Sequence, residues 1–76
     1  MVLSYILITV NSGCEAEVAS EILKYEQILN IHTLFGEYDL IVKAKSNSEP
    51  SLKTFIINKI RKTPNVITTR TLIVAD

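Results

Sequence analysis

The order of strand-like and helix-like segments predicts an α+β domain of the ferredoxin-like type, β-α-β-β-α-β, with a four-stranded antiparallel sheet and two helices on one face. Two observations carry this. Short aliphatic runs rich in β-branched residues lie near both ends of the chain, at Leu3 to Val10 and Val66 to Val74. Between them, two amphipathic stretches with apolar residues at helical spacing flank a pair of strand-like segments broken at Gly36-Glu37.

Leu3 to Val10 is too short for a packed helix and reads as the first strand. Ser12-Gly13-Cys14-Glu15 then fits a capping box, in which the Ser12 hydroxyl accepts from the N–H of Glu15 and the Glu15 carboxylate reaches back to Ser12. The helix that follows puts Val18, Ala19, Ile22 and Leu23 on one face and Glu17, Glu21 and Lys24 on the other, and is expected to run to Gln27. Ile31 to Phe35 and Tyr38 to Lys45 are the middle strands, with Gly36 in the first position of a two-residue type II′ turn. Ser48 is the N-cap of a second helix, with Pro50 in its first turn and an apolar stripe of Leu52, Phe55, Ile56 and Ile60. Lys59 falls inside that stripe and would have to snorkel its ammonium to water. Thr63-Pro64-Asn65 stops the helix before the last strand.

Composition narrows the function classes. The chain has 76 residues, eight basic and eight acidic, a net charge of zero and 47% hydrophobic residues. That is one domain, residues 1–76, too apolar for a disordered tail and without a run long enough to span a membrane. A domain of this size buries only about 60% of its unfolded surface, so oligomerisation is an expected supplement to its stability. One cysteine makes no internal disulfide, and the N-terminus lacks a basic region and a cleavage site, which reads as a mature cytoplasmic protein. The scattered, balanced charges argue against direct nucleic-acid binding.

Right-handed crossovers place both helices on one face of the sheet and leave the other bare. Yet the first strand is apolar on both sides: Leu3, Tyr5 and Leu7 point one way, Ile6, Ile8 and Val10 the other. The last strand partly repeats this, with Leu72 and Val74 on one face and Ile67 and Ile73 on the other. A monomer would expose a larger apolar patch than soluble monomers carry, so the bare face is expected to pair with a second copy, giving a dimeric α/β barrel.

The segment from Leu34 to Lys43 holds the candidate site. Gly36 can supply a positive φ for a turn, or let backbone approach a ligand. Asp39 has poor strand propensity and stands just before an apolar strand, where its carboxylate needs a ligand ammonium, a backbone N–H or water.

The element order, the string GEYDLIVK and the ending TPNVITTRTLIV resemble the effector-binding (RAM) domain of the Lrp/AsnC family of amino-acid-responsive transcriptional regulators, over residues 2–75. The resemblance implies sheet-to-sheet dimers, assembly of four dimers into an octamer, and binding of a small effector, usually an amino acid, between dimers. Gly36, Tyr38 and Asp39 carry over as effector-contacting residues, followed by Glu37, and by Thr69 and Thr71, whose hydroxyls could bond the ligand or simply suit the last strand. Full-length members add an N-terminal helix-turn-helix domain. This sequence begins at the first strand of the effector domain, and its Met1 fits a stand-alone module without a DNA-binding domain that could co-assemble with full-length relatives.

The remaining residues invite blander readings. Cys14 in a first helical turn has no His or second Cys nearby and reads as structural. His32 has no second ligand at metal spacing and reads as a surface strand residue. Tyr5 and Tyr25 read as sheet-interface and helix-packing residues, and the lysines as a solvated face. No cofactor or metal is implied. Two other functions compete with the sensor: an ACT-like module binding its amino acid near Gly13, and a small dimeric α+β barrel enzyme. The enzyme finds no nucleophile beside a base in this sequence.

Overall fold

A computed structural model describes all 76 residues. The elements are β1 (Val2–Val10), α1 (Glu15–Ile22), β2 (Ile28–Thr33), β3 (Leu40–Ser46), α2 (Glu49–Phe55), a π-helical turn (Ile56–Ile60) that continues α2, and β4 (Val66–Ile73). The strands form one antiparallel sheet in the order β2-β3-β1-β4, the ferredoxin-like arrangement.

One face of the sheet and the two helices enclose the core. Ile6, Ile8 and Val10 of β1 and Leu40, Val42 and Ala44 of β3 are buried against Val18 and Ile22 of α1 and Leu52, Phe55, Ile56 and Ile60 of the second helix. The Tyr25 ring closes one side, edge-on to Phe55 with centroids 5.6 Å apart. Ser4 and Ser46 also face inward, and their buried hydroxyls have no hydrogen-bond partner. Each such orphan costs about 1–3 kcal/mol.

The first helix departs from expectation at both ends. No capping box forms, because Gly13 at φ +82° makes a turn in which the Cys14 N–H bonds Asn11 O at 3.0 Å. The helix therefore starts at Glu15 with Cys14 in the cap position and no side-chain cap. Glu15 thus stands first in the helix, out of reach of the capping-box geometry. The helix also ends at Ile22 rather than Gln27, where Lys24 and Tyr25 donate to Glu21 O and Ile22 O three residues back. Tyr25 then turns onto Phe55, and β2 enters the sheet at Ile28, three residues earlier than the sequence pattern suggests.

The second helix starts as its sequence implies. Ser48 Oγ accepts from the N–H of Ser51 at 3.2 Å, and Pro50 stands in the first turn. Its later half resolves the conflict over Lys59. In an unbroken α-helix Lys59 would share a face with Leu52 and Ile56. Instead the Arg61 N–H bonds Ile56 O at 2.8 Å, five residues back, and the wider turn carries Lys59 out to solvent while Ile60 is fully buried.

On the bare face, Leu3, Tyr5 and Leu7 are half-buried, flanked by Ile41 and Lys43 of β3 and by Arg70 and Leu72 of β4. The Lys43 ammonium lies 6.0 Å from the Tyr5 ring centroid, so its charge sits over an aromatic face. Ile67 leaves the expected alternation. A bulge opposite Thr9 and Val10 pairs Thr9 with Thr68 and Val10 with Val66, so Ile67 has no partner in β1 and is 59% exposed. No helix is long and apolar enough to cross a membrane.

Candidate functional site

The β2–β3 connection is a six-residue loop, Leu34 to Asp39, rather than the two-residue turn expected at Gly36-Glu37. Its last flanking pair is Thr33 with Leu40, since β3 begins two residues later than Tyr38. Gly36 lies at φ +138°, a conformation that side chains disfavour, and a Cβ there would meet nothing within 4 Å. The glycine thus serves backbone shape and not close packing.

Asp39 holds the base of this loop through three groups. Its N–H donates to Ile8 O at 2.9 Å, its C=O accepts from Leu34 N–H at 2.8 Å, and its Oδ2 accepts from Val10 N–H at 2.8 Å. The partner the sequence required is therefore a backbone N–H. Only Oδ2 accepts a hydrogen bond within the chain, and Asp39 is half-buried. Tyr38 is half-buried, and Gly36 and Glu37 are exposed. The four residues GEYD are contiguous and form one rim.

Thr69 and Thr71 lie elsewhere. They sit on the helix side of β4, across β1 from the loop, in the register Thr69–Ile8–Leu40 and Thr71–Ile6–Val42. There they line a groove with Ile56, Ile57, Lys53 and Arg61. Within one chain the loop and the threonine pair do not converge.

Two features near the loop escaped the sequence reading. Phe35, at the loop tip, is completely exposed, and an aromatic at a turn was the available signal. Beyond Val10, at the end of β1, Asn11 Nδ2 donates to Asn65 Oδ1 and Asn65 Nδ2 to Glu17 Oε2, both at 3.1 Å. Asn65 holds φ +73°, which asparagine tolerates better than most side chains. Nothing in residue spacing links positions so far apart. His32 is exposed, and no cluster of three metal-ligating side chains occurs.

The model of the Lrp/AsnC ligand binding domain matches residues 3–76 of this sequence. The chain belongs to the Lrp/AsnC family. An HTH-type transcriptional regulator, FL11 of Pyrococcus abyssi, is 40% identical over 72 residues, which are 95% of this chain and 47% of that regulator. The Lrp/AsnC chain thus spans about half the length of this curated relative. Among solved structures, FFRP-DM1 superimposes with a TM-score of 0.95 at 37% identity, covering 99% of this chain and 100% of the other. The fold is also that of the transcriptional regulator NMB0573 from Neisseria meningitidis in complex with L-Met, with a TM-score of 0.90 at 17% identity, covering 99% and 50%. The family is one of transcriptional regulators, and its domain here is the ligand-binding one.

Proposed function

We propose that this Lrp/AsnC domain is a regulatory sensor in the cytoplasm that binds an amino acid at the Gly36-Glu37-Tyr38-Asp39 rim and performs no catalysis. The observation that carries this reading is the state of Asp39: Val10 fixes its carboxylate through Oδ2 and leaves Oδ1 without a partner in the chain. A carboxylate already oriented by the backbone binds an α-ammonium at lower ordering cost than a mobile one. The L-Met complex of NMB0573 supports the ligand class, since that protein shares the fold.

The second part of the proposal concerns assembly. Leu3, Tyr5, Leu7, Ile41 and Leu72 form an apolar strip on the face opposite the helices, and a second copy covers it in an isologous sheet-to-sheet dimer. Dimers then assemble further, to an octamer on the family pattern, and bring Thr69 and Thr71 of one chain toward the loop of another. The same surfaces let the domain join full-length relatives and alter their assembly on DNA.

A thermal-shift panel of the twenty amino acids tests the sensor. One or a few are expected to raise the midpoint of the wild-type protein and to leave Asp39→Asn unmoved. A panel without any shift, or shifts equal in the variant, contradicts it.

A further inference from the structure

Phe35 stands completely exposed at the tip of the β2–β3 loop, with Leu34 exposed beside it. A large apolar side chain held in water is a cost that its own chain does not relieve. The loop that presents it is braced at its base. The Asp39 N–H and Oδ2 tie it to Ile8 and Val10, and the Asp39 C=O accepts from the N–H of Leu34, the residue before Phe35. A knob on a braced loop loses little conformational freedom when it docks.

A matching socket lies elsewhere on the molecule, between the second helix with its π-helical turn and the edge strand β4. It encloses about 340 Å³, ample for an aromatic ring, since a cavity of about 150 Å³ admits benzene. Leu52, Ile56 and Ile57 form one wall and Thr69, Thr71 and Ile73 the other. Both walls belong to the helix side of the sheet, because Thr69, Thr71 and Ile73 pair with the buried Ile8, Ile6 and Ser4. Ile57 and Ile73 are about half-exposed, so the socket is open to an incoming side chain. Charge also matches. Lys53 and Arg61 line the groove, no carboxylate does, and neither cation has an ion pair within the chain. The loop from Leu34 to Asp39 carries Glu37 and Asp39 and no cation.

We propose that Phe35 of one copy seats in this groove of a second copy, with Glu37 beside the Lys53 and Arg61 cations, and that this contact joins one sheet-to-sheet dimer to the next. It rests on the further assembly of dimers proposed above and gives that assembly its pair of surfaces. Phe35 directly precedes Gly36, so seating it carries the Gly36–Asp39 rim to Thr69 and Thr71 of the second copy, and the effector site is complete only between copies. Knob and socket are different surfaces, which makes the contact heterologous, and each dimer carries two of each, enough to close a ring. One seated Phe buries about 150–250 Å², below the roughly 800 Å² per partner of a stable interface, so the contact holds through repetition around the ring.

Light scattering on eluting fractions of wild type, Phe35→Ser, Phe35→Leu and Ile57→Glu tests this. Both substituted side chains are exposed, so the variants keep the fold, which an unchanged circular dichroism spectrum checks. Wild type and Phe35→Leu, which retains an apolar knob, are expected to be larger than a dimer, and Phe35→Ser and Ile57→Glu to be dimers. Mixing the last two should restore a species larger than a dimer, because the intact Phe35 of one fits the intact groove of the other. Either of them keeping the wild-type size, or a mixture that stays dimeric, overturns the contact and leaves the further assembly of dimers standing. A wild-type protein no larger than a dimer overturns both. Failure of amino-acid sensing shows separately, as a thermal-shift panel without any shift.

Discussion

Asp39 Oδ2 accepts a 2.8 Å hydrogen bond from the backbone N–H of Val10, 29 residues earlier in the chain. This bond joins the start of β3 to the end of β1 and gives the aspartate a structural task as well as a proposed functional one. The two can be separated by chemistry. Asp39→Ala leaves a partly buried N–H unpaired and should lower stability by about 1–3 kcal/mol, whereas Asp39→Asn retains an acceptor oxygen and should lose less than about 1 kcal/mol. Urea unfolding of the two variants beside wild type measures the difference, and equal losses would show that the Val10 bond carries no weight.

The π-helical turn makes a prediction about neighbouring residues. Ile60 is fully buried and Lys59 exposed, so Ile60→Ala should cost about 2–5 kcal/mol and Lys59→Ala within about 0.5 kcal/mol. An uninterrupted α-helix would make the Lys59 change costly too. Thermal melts of both variants distinguish the two registers.

A charge placed on the bare sheet face should dissolve the dimer. Leu7 pairs with Ile41 on one side and Arg70 on the other, in the middle of that face. Leu7→Lys is expected to convert a dimer or larger assembly into a monomer by light scattering, and to remove the dependence of the melting midpoint on protein concentration. A wild-type chain that is already monomeric at micromolar concentration would refute the proposed covering of this face.

Ser4 offers a test of opposite sign. Its hydroxyl is fully buried and unpartnered, so Ser4→Ala should be neutral or raise stability by up to about 1–3 kcal/mol. A loss of stability larger than about 1 kcal/mol on urea unfolding would mean that the hydroxyl is bonded in solution.

The fold was legible because short β-branched runs mark the strands and the helix stripes are apolar at the right spacing. Periodicity could not locate the π turn, where the spacing changes within one helix, although Lys59 inside an apolar stripe was the trace that turn leaves in the sequence. The Ser12 capping box failed because Gly13 bends the chain before the helix begins, so a motif correct in spacing was wrong in geometry. The loop length escaped notice because Gly36 satisfies a short turn as readily as a long loop. Of the candidate site, the GEYD rim was visible as a contiguous motif. The distance between that rim and Thr69 and Thr71 was not, because it follows from strand order and register.

The fixed carboxylate of Asp39 is expected to receive the amino acid. The most direct test of this is a calorimetric titration of wild-type and Asp39→Asn protein with the amino acid giving the largest thermal shift. Wild type should bind saturably and the variant at least about tenfold more weakly, with both folded and equally assembled. Equal affinity in the two proteins would place the effector away from Asp39 and contradict the account.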